Sequence, residues 1–264
     1  MRPHIFIDVP LATATTVVGV QLGIWWPLGV AAAAATALHV WGTVHPRASY
    51  YMPVHWRLAK GSTDVALTFD DGPHPEHTPA ALDLLAAHGC RATFFVIGEH
   101  ARRHPQLLRR IRAAGHAIGL HSQGHSRWFN CWPPRLVMRD LAACGASIAD
   151  ATGAAPPRLF RPPVGLKNPL VGEAARRMDL VTVTWSERAW DRPGCSAERI
   201  ATRLEAAIAP RAILMLHDGH EPGRTVDRSP SIAALGRLLP ILRGRGLTSR
   251  ALRADGSTLG VEPD

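Results

Sequence analysis

The stretch Val65-Ala66-Leu67-Thr68-Phe69-Asp70-Asp71-Gly72-Pro73 decides how this chain is read. Its first five residues are an apolar run of strand length and read as a buried strand. Two carboxylates follow at once, and Gly72-Pro73 supplies turn chemistry. Beyond the turn, Thr78 offers an N-cap, Pro79 a first helical residue and Gly89 a stop, so a helix is expected over residues 80–88. Strand, polar turn, helix is the unit to look for elsewhere.

It recurs. Further strands are expected over residues 92–97, 116–120, 158–160, 180–184, 212–216 and 247–252. Helical patterns separate them: one carries Leu107, Leu108 and Ile111 and ends at Gly115, and others cover residues 135–152, 171–178, 197–208 and 231–242. Seven strands in strict alternation with helices, over roughly 200 residues, predict a parallel α/β sheet, doubly wound or closed into a barrel. A single domain over residues 63–255 is the economical reading, with a linker at 51–62 and a tail at 256–264.

Composition narrows the class. The 264 residues are 46% hydrophobic and 19% charged, which excludes a disordered, collagen-like or coiled-coil chain. The net charge of +9 comes almost entirely from arginine, since only Lys60 and Lys167 are lysines. These cations are spread along the chain, which argues against nucleic acid as a partner and is compatible with an anionic lipid surface or an acidic glycan. Cys90, Cys131, Cys144 and Cys195 show no CxxC spacing, so single core thiols are expected, with a Cys131–Cys144 bridge as the alternative.

Residues 9–46 contain no Asp, Glu, Lys or Arg. A bilayer span takes ~20 apolar residues, so this stretch exceeds one untilted helix and nearly suffices for two. Trp25-Trp26-Pro27, at its middle, fits an interfacial turn. A membrane anchor of one or two helices within residues 1–50 is therefore expected; a cleaved signal peptide would ordinarily begin with a more basic segment than residues 1–8. Sidedness stays open. A hairpin, and the flank of Arg47, Arg57 and Lys60 against Arg2, favour a cytoplasmic domain, whereas a single span with the N-terminus inside would export it.

In parallel α/β folds the strand C-termini share one face, where sites are built. Asp70 and Asp71 follow the first strand, and His121 and His125 the third. Arg161 follows the fourth, Trp185 and then Asp191 the fifth, and His217 and Asp218 the sixth. Each alone has a bland explanation: a turn, two of 14 histidines, a salt bridge, a core imidazole. Their joint placement at one rim shifts the balance toward chemistry. Gly124 places the histidine pair on a loop. Two His and one carboxylate leave an open position on a divalent ion, the pattern of a catalytic site, where water falls in pKa from ~16 towards ~7. Asp70 and Asp71 diverge, so one can bind metal while the other serves as base. Arg161 is suited to a bidentate contact with that base, and His217 to proton donation. Together these parts describe hydrolysis of an acyl bond.

The same segments closely resemble the polysaccharide deacetylases, the NodB-homology domain of carbohydrate esterase family 4, across about residues 63–255. Thr68-Phe69-Asp70-Asp71-Gly72-Pro73, His121-Ser122-Gln123-Gly124-His125, Arg161-Pro162-Pro163-Val164-Gly165, Trp185 to Asp191 and Leu214-Met215-Leu216-His217-Asp218 match its five motifs in order. The resemblance implies a distorted (β/α)7 barrel and a metal-dependent N-deacetylase. It makes Asp70 the base, Asp71, His121 and His125 the metal ligands, and His217 the acid. Arg161 would orient the base, Asp191 would tune His217, and the Val164 N–H would stabilise the oxyanion. Zn2+ is the implied ion, with Co2+ or another divalent ion as alternatives, and the family places the domain outside the cytoplasm. The implied substrate is an acetylated amino-sugar glycan or a lipid-linked sugar. A deformylase or O-acetyl esterase would use the same parts, and a non-catalytic glycan-binding module is the rival from another class. Val164 stands where the family often has an aromatic, and Arg192 where it often has Trp. Those positions, with Trp185, help form the substrate walls, and Arg192 points to an anionic substrate such as a phospholipid-linked sugar.

Overall fold

Residues 25–262 are described by a computed structural model. At its centre β1 (Ala66–Asp70) runs between β2 (Ala92–Val96) and β7 (Ile213–His217), parallel to both. The sheet continues through β3 (Ala117–Leu120), β4 (Leu159–Phe160) and β5 (Val181–Thr182) on one side, and ends at β6 (Glu187–Arg188) beside β7 on the other. Its order is β5-β4-β3-β2-β1-β7-β6, and every neighbouring pair is parallel. This is a curled seven-stranded half-barrel, the expected fold class.

Alternation along each strand separates two cores, because successive side chains point to opposite faces. Leu67 and Phe69 of β1 and Phe94 and Val96 of β2 join the larger apolar cluster, with the Phe69 and Phe94 rings stacked 5.0 Å apart. That cluster holds apolar side chains of α2 (His77–Ala87), α4 (Pro105–Ala113), α5 (Pro134–Thr152), α6 (Pro169–Arg177), α7 (Ala197–Ala206) and α8 (Ser229–Gly244). Short α3 (Gly98–Arg103) follows β2 and adds Ala101. Ala66, Phe95, Leu159, Val181 and Ile213 form a smaller, separate cluster on the other face of the sheet.

Two stretches complete that second cluster, and neither does what the sequence pattern suggests. The segment 247–252 is not a seventh strand of the sheet. Val65 makes one isolated bridge to Ser249, and the chain then turns into an antiparallel hairpin, β8 (Leu252–Asp255) and β9 (Thr258–Val261), whose Leu252 and Leu259 join the cluster. The place beside β7 goes to Glu187–Arg188, a polar pair too short to register as an apolar run. The expected linker is tied into the domain. His55 bridges Val183 beyond β5, Arg57 bridges Ala212 before β7, and Leu58 is buried in the same cluster. This strap lies along the seam where the sheet does not pair with itself.

Thr78 is not an N-cap either. The helix begins at His77, and the Thr78 hydroxyl donates to the buried Asp218 carboxylate at 2.5 Å while accepting from the His74 N–H. A buried acceptor outcompetes the helix end. All four cysteines are free thiols; Cys90 and Cys144 are buried, whereas Cys131 is exposed.

Within the apolar N-terminal stretch, α1 (Trp26–Val44) is a 19-residue helix. At 1.5 Å per residue it is about 28 Å long, close to the ~30 Å of a bilayer core. Trp26, Val30, Val40, Trp41 and Val44 are exposed, so it is not a core helix. The first half of the expected anchor, residues 1–24, lies outside the described residues.

Ser249 is the joint between the strap-and-hairpin floor and the sheet: its hydroxyl accepts from Leu67 N and donates to Arg91 O. Ser249→Ala removes both bonds and leaves the buried Leu67 N–H unsatisfied, and urea unfolding should show a loss of about 1–3 kcal/mol.

Candidate active site and metal centre

The end of β1 sends its two carboxylates to different partners. Asp70 continues the face shared with Ala66 and Thr68. At Asp71 the backbone enters the left-handed region (φ 70°), and its side chain meets the loop after β3. Asp71 Oδ1 stands 3.4 Å from His121 Nε2 and 3.6 Å from His125 Nε2. The three side chains bring one ligand atom each within 4.8 Å of the others. His121 Nδ1 donates to the Arg161 carbonyl at 2.8 Å, which leaves the Nε2 lone pair turned to Asp71. The histidine pair sits on a loop, as Gly124 indicates: Ser122 and His125 have φ of 67° and 49°, and the Ser122 hydroxyl accepts from His125 N.

The donor set fits a divalent ion. Among the described residues Asp71 Oδ1 is buried without a hydrogen-bond partner, an expense a protein rarely tolerates unless a cation satisfies the atom. Burial alone raises the Asp71 carboxyl, but the imidazoles of His121, His217 and His125 outweigh it and hold it well below the usual carboxylate range. One carboxylate and two imidazoles are a zinc-type set with room for a further ligand.

Arg161 is fully buried. Its Nη1 donates to Asp70 Oδ1 at 2.6 Å and to Thr68 Oγ1 at 3.0 Å. Its Nη2 and Nε donate to the carbonyls of Thr184 and Val183, and the guanidinium lies 4.1 Å from the centre of the Phe95 ring. The bidentate contact expected from sequence is therefore not formed; the fork is divided among one carboxylate oxygen, a hydroxyl and two strand-end carbonyls. Burial pushes the guanidinium pKa down, and Asp70 opposes that shift.

His217, at the end of β7, donates from Nδ1 to Asp191 Oδ1 at 2.7 Å, while its backbone N–H donates to Asp191 Oδ2 at 3.0 Å. Its Nε2 stands 4.0 Å from Asp71 Oδ2, toward the metal-type cluster. Burial lowers the His217 pKa, but Asp191 reverses this and leaves it raised. For Asp191, burial acts upward, and the His217 charge with hydrogen bonds from His217 and Ser231 drives it well below the usual range. Ser231 and Arg228 escaped sequence reading. Ser231 donates to Asp191 Oδ2 at 2.6 Å, and Arg228 donates to the Asp191 and Gly219 carbonyls. Their positions beyond a polar loop carry no distinguishing spacing. Asp218, adjacent to His217, is pushed up to about 7 by burial. It packs against Gly72, where a Cβ would lie 2.4 Å from its carboxylate.

The remaining candidates lie around the rim. Val164 adopts a left-handed conformation (φ 59°) and is 61% exposed. Trp185 is 5% exposed, and its ring lies so close to Gly165 that a Cβ there would come within 2.2 Å of it. It therefore supports the Val164 loop from below more than it walls an open cleft. Arg192 stacks on Trp190, ring centre to guanidinium 4.6 Å, and Arg188 stacks on the same ring at 4.0 Å. Trp190 and Arg188 were not singled out from sequence, where only Trp185, Asp191 and Arg192 of that segment drew attention.

A curled parallel sheet with a carboxylate, two imidazoles, a second carboxylate and an Asp–His pair at one rim defines a hydrolase of the polysaccharide deacetylase type. Comparison with known proteins agrees. Residues 58–183 match the polysaccharide deacetylase family. The chain is 39% identical over 203 residues to the chitooligosaccharide deacetylase of Sinorhizobium fredii, covering 74% of this chain and 93% of that protein. A solved peptidoglycan N-acetylglucosamine deacetylase bound to an N-oxidanyl-benzamide superimposes with a TM-score of 0.68 and 30% identity, over 75% of this chain and 90% of that one. A family 4 acetyl xylan esterase from Clostridium thermocellum, solved with a cobalt ion, gives 0.62 and 32%, over 71% and 87%. The chain belongs to the polysaccharide deacetylase family.

If His217 donates a proton, the alkaline limb of kcat/KM reports its deprotonation. Asp191 raises the His217 pKa, so Asp191→Asn removes that support and should move the limb to lower pH by about one unit or more, read from a pH–rate profile.

Proposed function

We propose that this protein is a metal-dependent N-deacetylase of an acetylated amino-sugar glycan, tethered by α1, with residues 63–255 as its catalytic domain. The observation that carries the reading is the division of labour at the end of β1. Asp71 turns to His121 and His125, while Asp70, one residue earlier, is held apart by Arg161. The names of the relatives, deacetylases of chitooligosaccharides and of peptidoglycan N-acetylglucosamine, support the substrate class.

Asp71, His121 and His125 would hold the ion, Zn2+ by its donor set, with Co2+ as an alternative supported by the cobalt-bound relative. When bound, a divalent ion supplies Lewis-acid activation of water and of the acyl oxygen. Asp70 accepts the proton of the attacking water as its oxygen bonds to the acetamide carbon. Arg161 fixes the Asp70 carboxylate and balances its charge in a buried setting. The Val164 N–H donates to the acyl oxygen as that atom gains charge. His217 then gives its Nε2 proton to the sugar nitrogen as the carbon–nitrogen bond breaks, leaving acetate and a free amino sugar. Asp191 keeps the imidazole oriented through Nδ1 and stabilises its protonated form.

Asp70→Asn should lower kcat by about 10²–10⁴ while metal content, by atomic absorption, matches the wild type. Near-normal turnover would remove Asp70 as the base. Chelation should silence acetate release reversibly, and His125→Ala should lose the ion itself.

A further inference from the structure

The chain leaves α1 at the catalytic end of the barrel. Lys167, three residues beyond Val164, donates from its backbone N to the Thr43 carbonyl and from Nζ to the His45 carbonyl. It is 1% exposed, so a buried ammonium caps the carbonyls at the end of α1. The Thr184 hydroxyl donates to the Pro46 carbonyl, and Arg47 donates to the Ser186 carbonyl, on either side of Trp185. Gly42 fits against the Tyr50 ring, where a Cβ would lie within 2.7 Å, and His39 Nδ1 meets the Tyr51 hydroxyl at 2.6 Å. The helix is therefore seated on the two loops that carry Val164 and Trp185. Farther on the strap descends, with His55 meeting the Ser257 backbone of the hairpin and Leu58 reaching Arg211 at the opposite end of the strands.

A spanning helix leaves the bilayer within ~40° of its normal. Arg47 stands three residues beyond Val44, a reach of at most about 10 Å. A bilayer spanned by α1 would therefore meet the rim loops, with the floor hairpin at the far end of the domain. The surface turned to the bilayer suits that position. Val164 is exposed, Trp190 is 38% exposed, and Trp128 is 69% exposed on a loop tied to the residue after Lys167 by the Asn168–Asn130 hydrogen bond. Trp side chains favour the membrane–water interface. Arg188 and Arg192 flank Trp190, and among the described residues neither pairs with a carboxylate; Arg188 Nε is buried without a hydrogen-bond partner. Two such guanidiniums beside an aromatic are a receptor for a phosphate.

We propose that the catalytic rim faces the bilayer into which α1 inserts, and that the substrate is an acetylated amino sugar carried on a lipid phosphate, with that phosphate met by Arg188 and Arg192. The substrate half rests on the deacetylase reading above; the orientation half does not.

The test uses the full chain reconstituted in phosphatidylethanolamine–phosphatidylglycerol vesicles. One arm includes a lipid with a photoreactive diazirine at its headgroup and maps adducts by mass spectrometry. Adducts on residues 127–132, 163–167 and 188–192 are expected. Adducts concentrated on residues 88–91, 153–158 or 244–257, or none on the domain, overturn the orientation. The second arm compares acetate release from N-acetylglucosamine linked to a polyprenyl pyrophosphate in the same vesicles with release from soluble tetra-N-acetylchitotetraose. At least tenfold faster turnover of the lipid-linked sugar at matched concentration is expected. Equal or faster turnover of the soluble glycan overturns the substrate half and leaves the deacetylase reading standing. If neither substrate releases acetate while adducts map to the rim, the deacetylase reading fails, the substrate half with it, and the orientation holds.

Discussion

The contact between Arg161 and Asp70 is the constraint around which the rest is arranged. A guanidinium removed from water requires a counter-charge and a partner for each remaining donor. Asp70 provides the first, Thr68 shares the same nitrogen, and the carbonyls of Val183 and Thr184 take the others. Those carbonyls come from the stretch just beyond β5, at the open edge of the sheet. One side chain from the end of β4 thus ties the central strand to that edge. It also fixes which carboxylate at the end of β1 is unavailable to the imidazoles.

The smaller core grades from apolar to charged in consequence. Leu58, Leu252 and Leu259 are clustered with Phe95, and the Phe95 ring supports the Arg161 guanidinium. Beyond that lie Thr68 and Asp70, and then the imidazoles. The dry floor makes the buried ion pair unavoidable once a carboxylate is placed on this face. His217 is held by similar means, with Asp191 anchored by Ser231 in the first turn of α8 and by Arg228 just before it.

Much of this could be read before any coordinates. β1, β2, β3, β4, β5 and β7 are announced by apolar runs, because strands covered on both faces cannot alternate with polar residues. For the same reason the residues after them fall on one rim, which is why Asp70, Asp71, His121 and His125 could be grouped from chain position alone, whereas the choice of Asp71 over Asp70 as the histidines' partner was implied only by the family resemblance. β6 could not be read: Glu187 and Arg188 are polar and only two residues long, and their pairing with β7 is decided by where the preceding loop ends. Residues 247–252 read as a strand from their length and their bounding leucines, yet Thr248, Ser249 and Arg250 interrupt the run, and Leu252 serves to plug the floor. Arg228 and Ser231 were invisible because they act on Asp191 from the distant start of α8, without a motif to mark them. Thr78 misled because a hydroxyl at a helix start looks alike whether it caps the helix or serves a buried carboxylate.

The strap along the seam ties the order of assembly to the order of synthesis. His55 and Arg57 emerge early, yet their bridging partners, Val183 and Ala212, are made more than a hundred residues later. Such long-range pairing is slow because a large loop must close first. The half-barrel must wait for nearly the whole chain before its gap is covered, and until then the edge beyond β5 offers free backbone groups to any neighbouring nascent chain. The stretch that leads out of α1 is thus among the first parts of the domain to be translated and among the last to find its place.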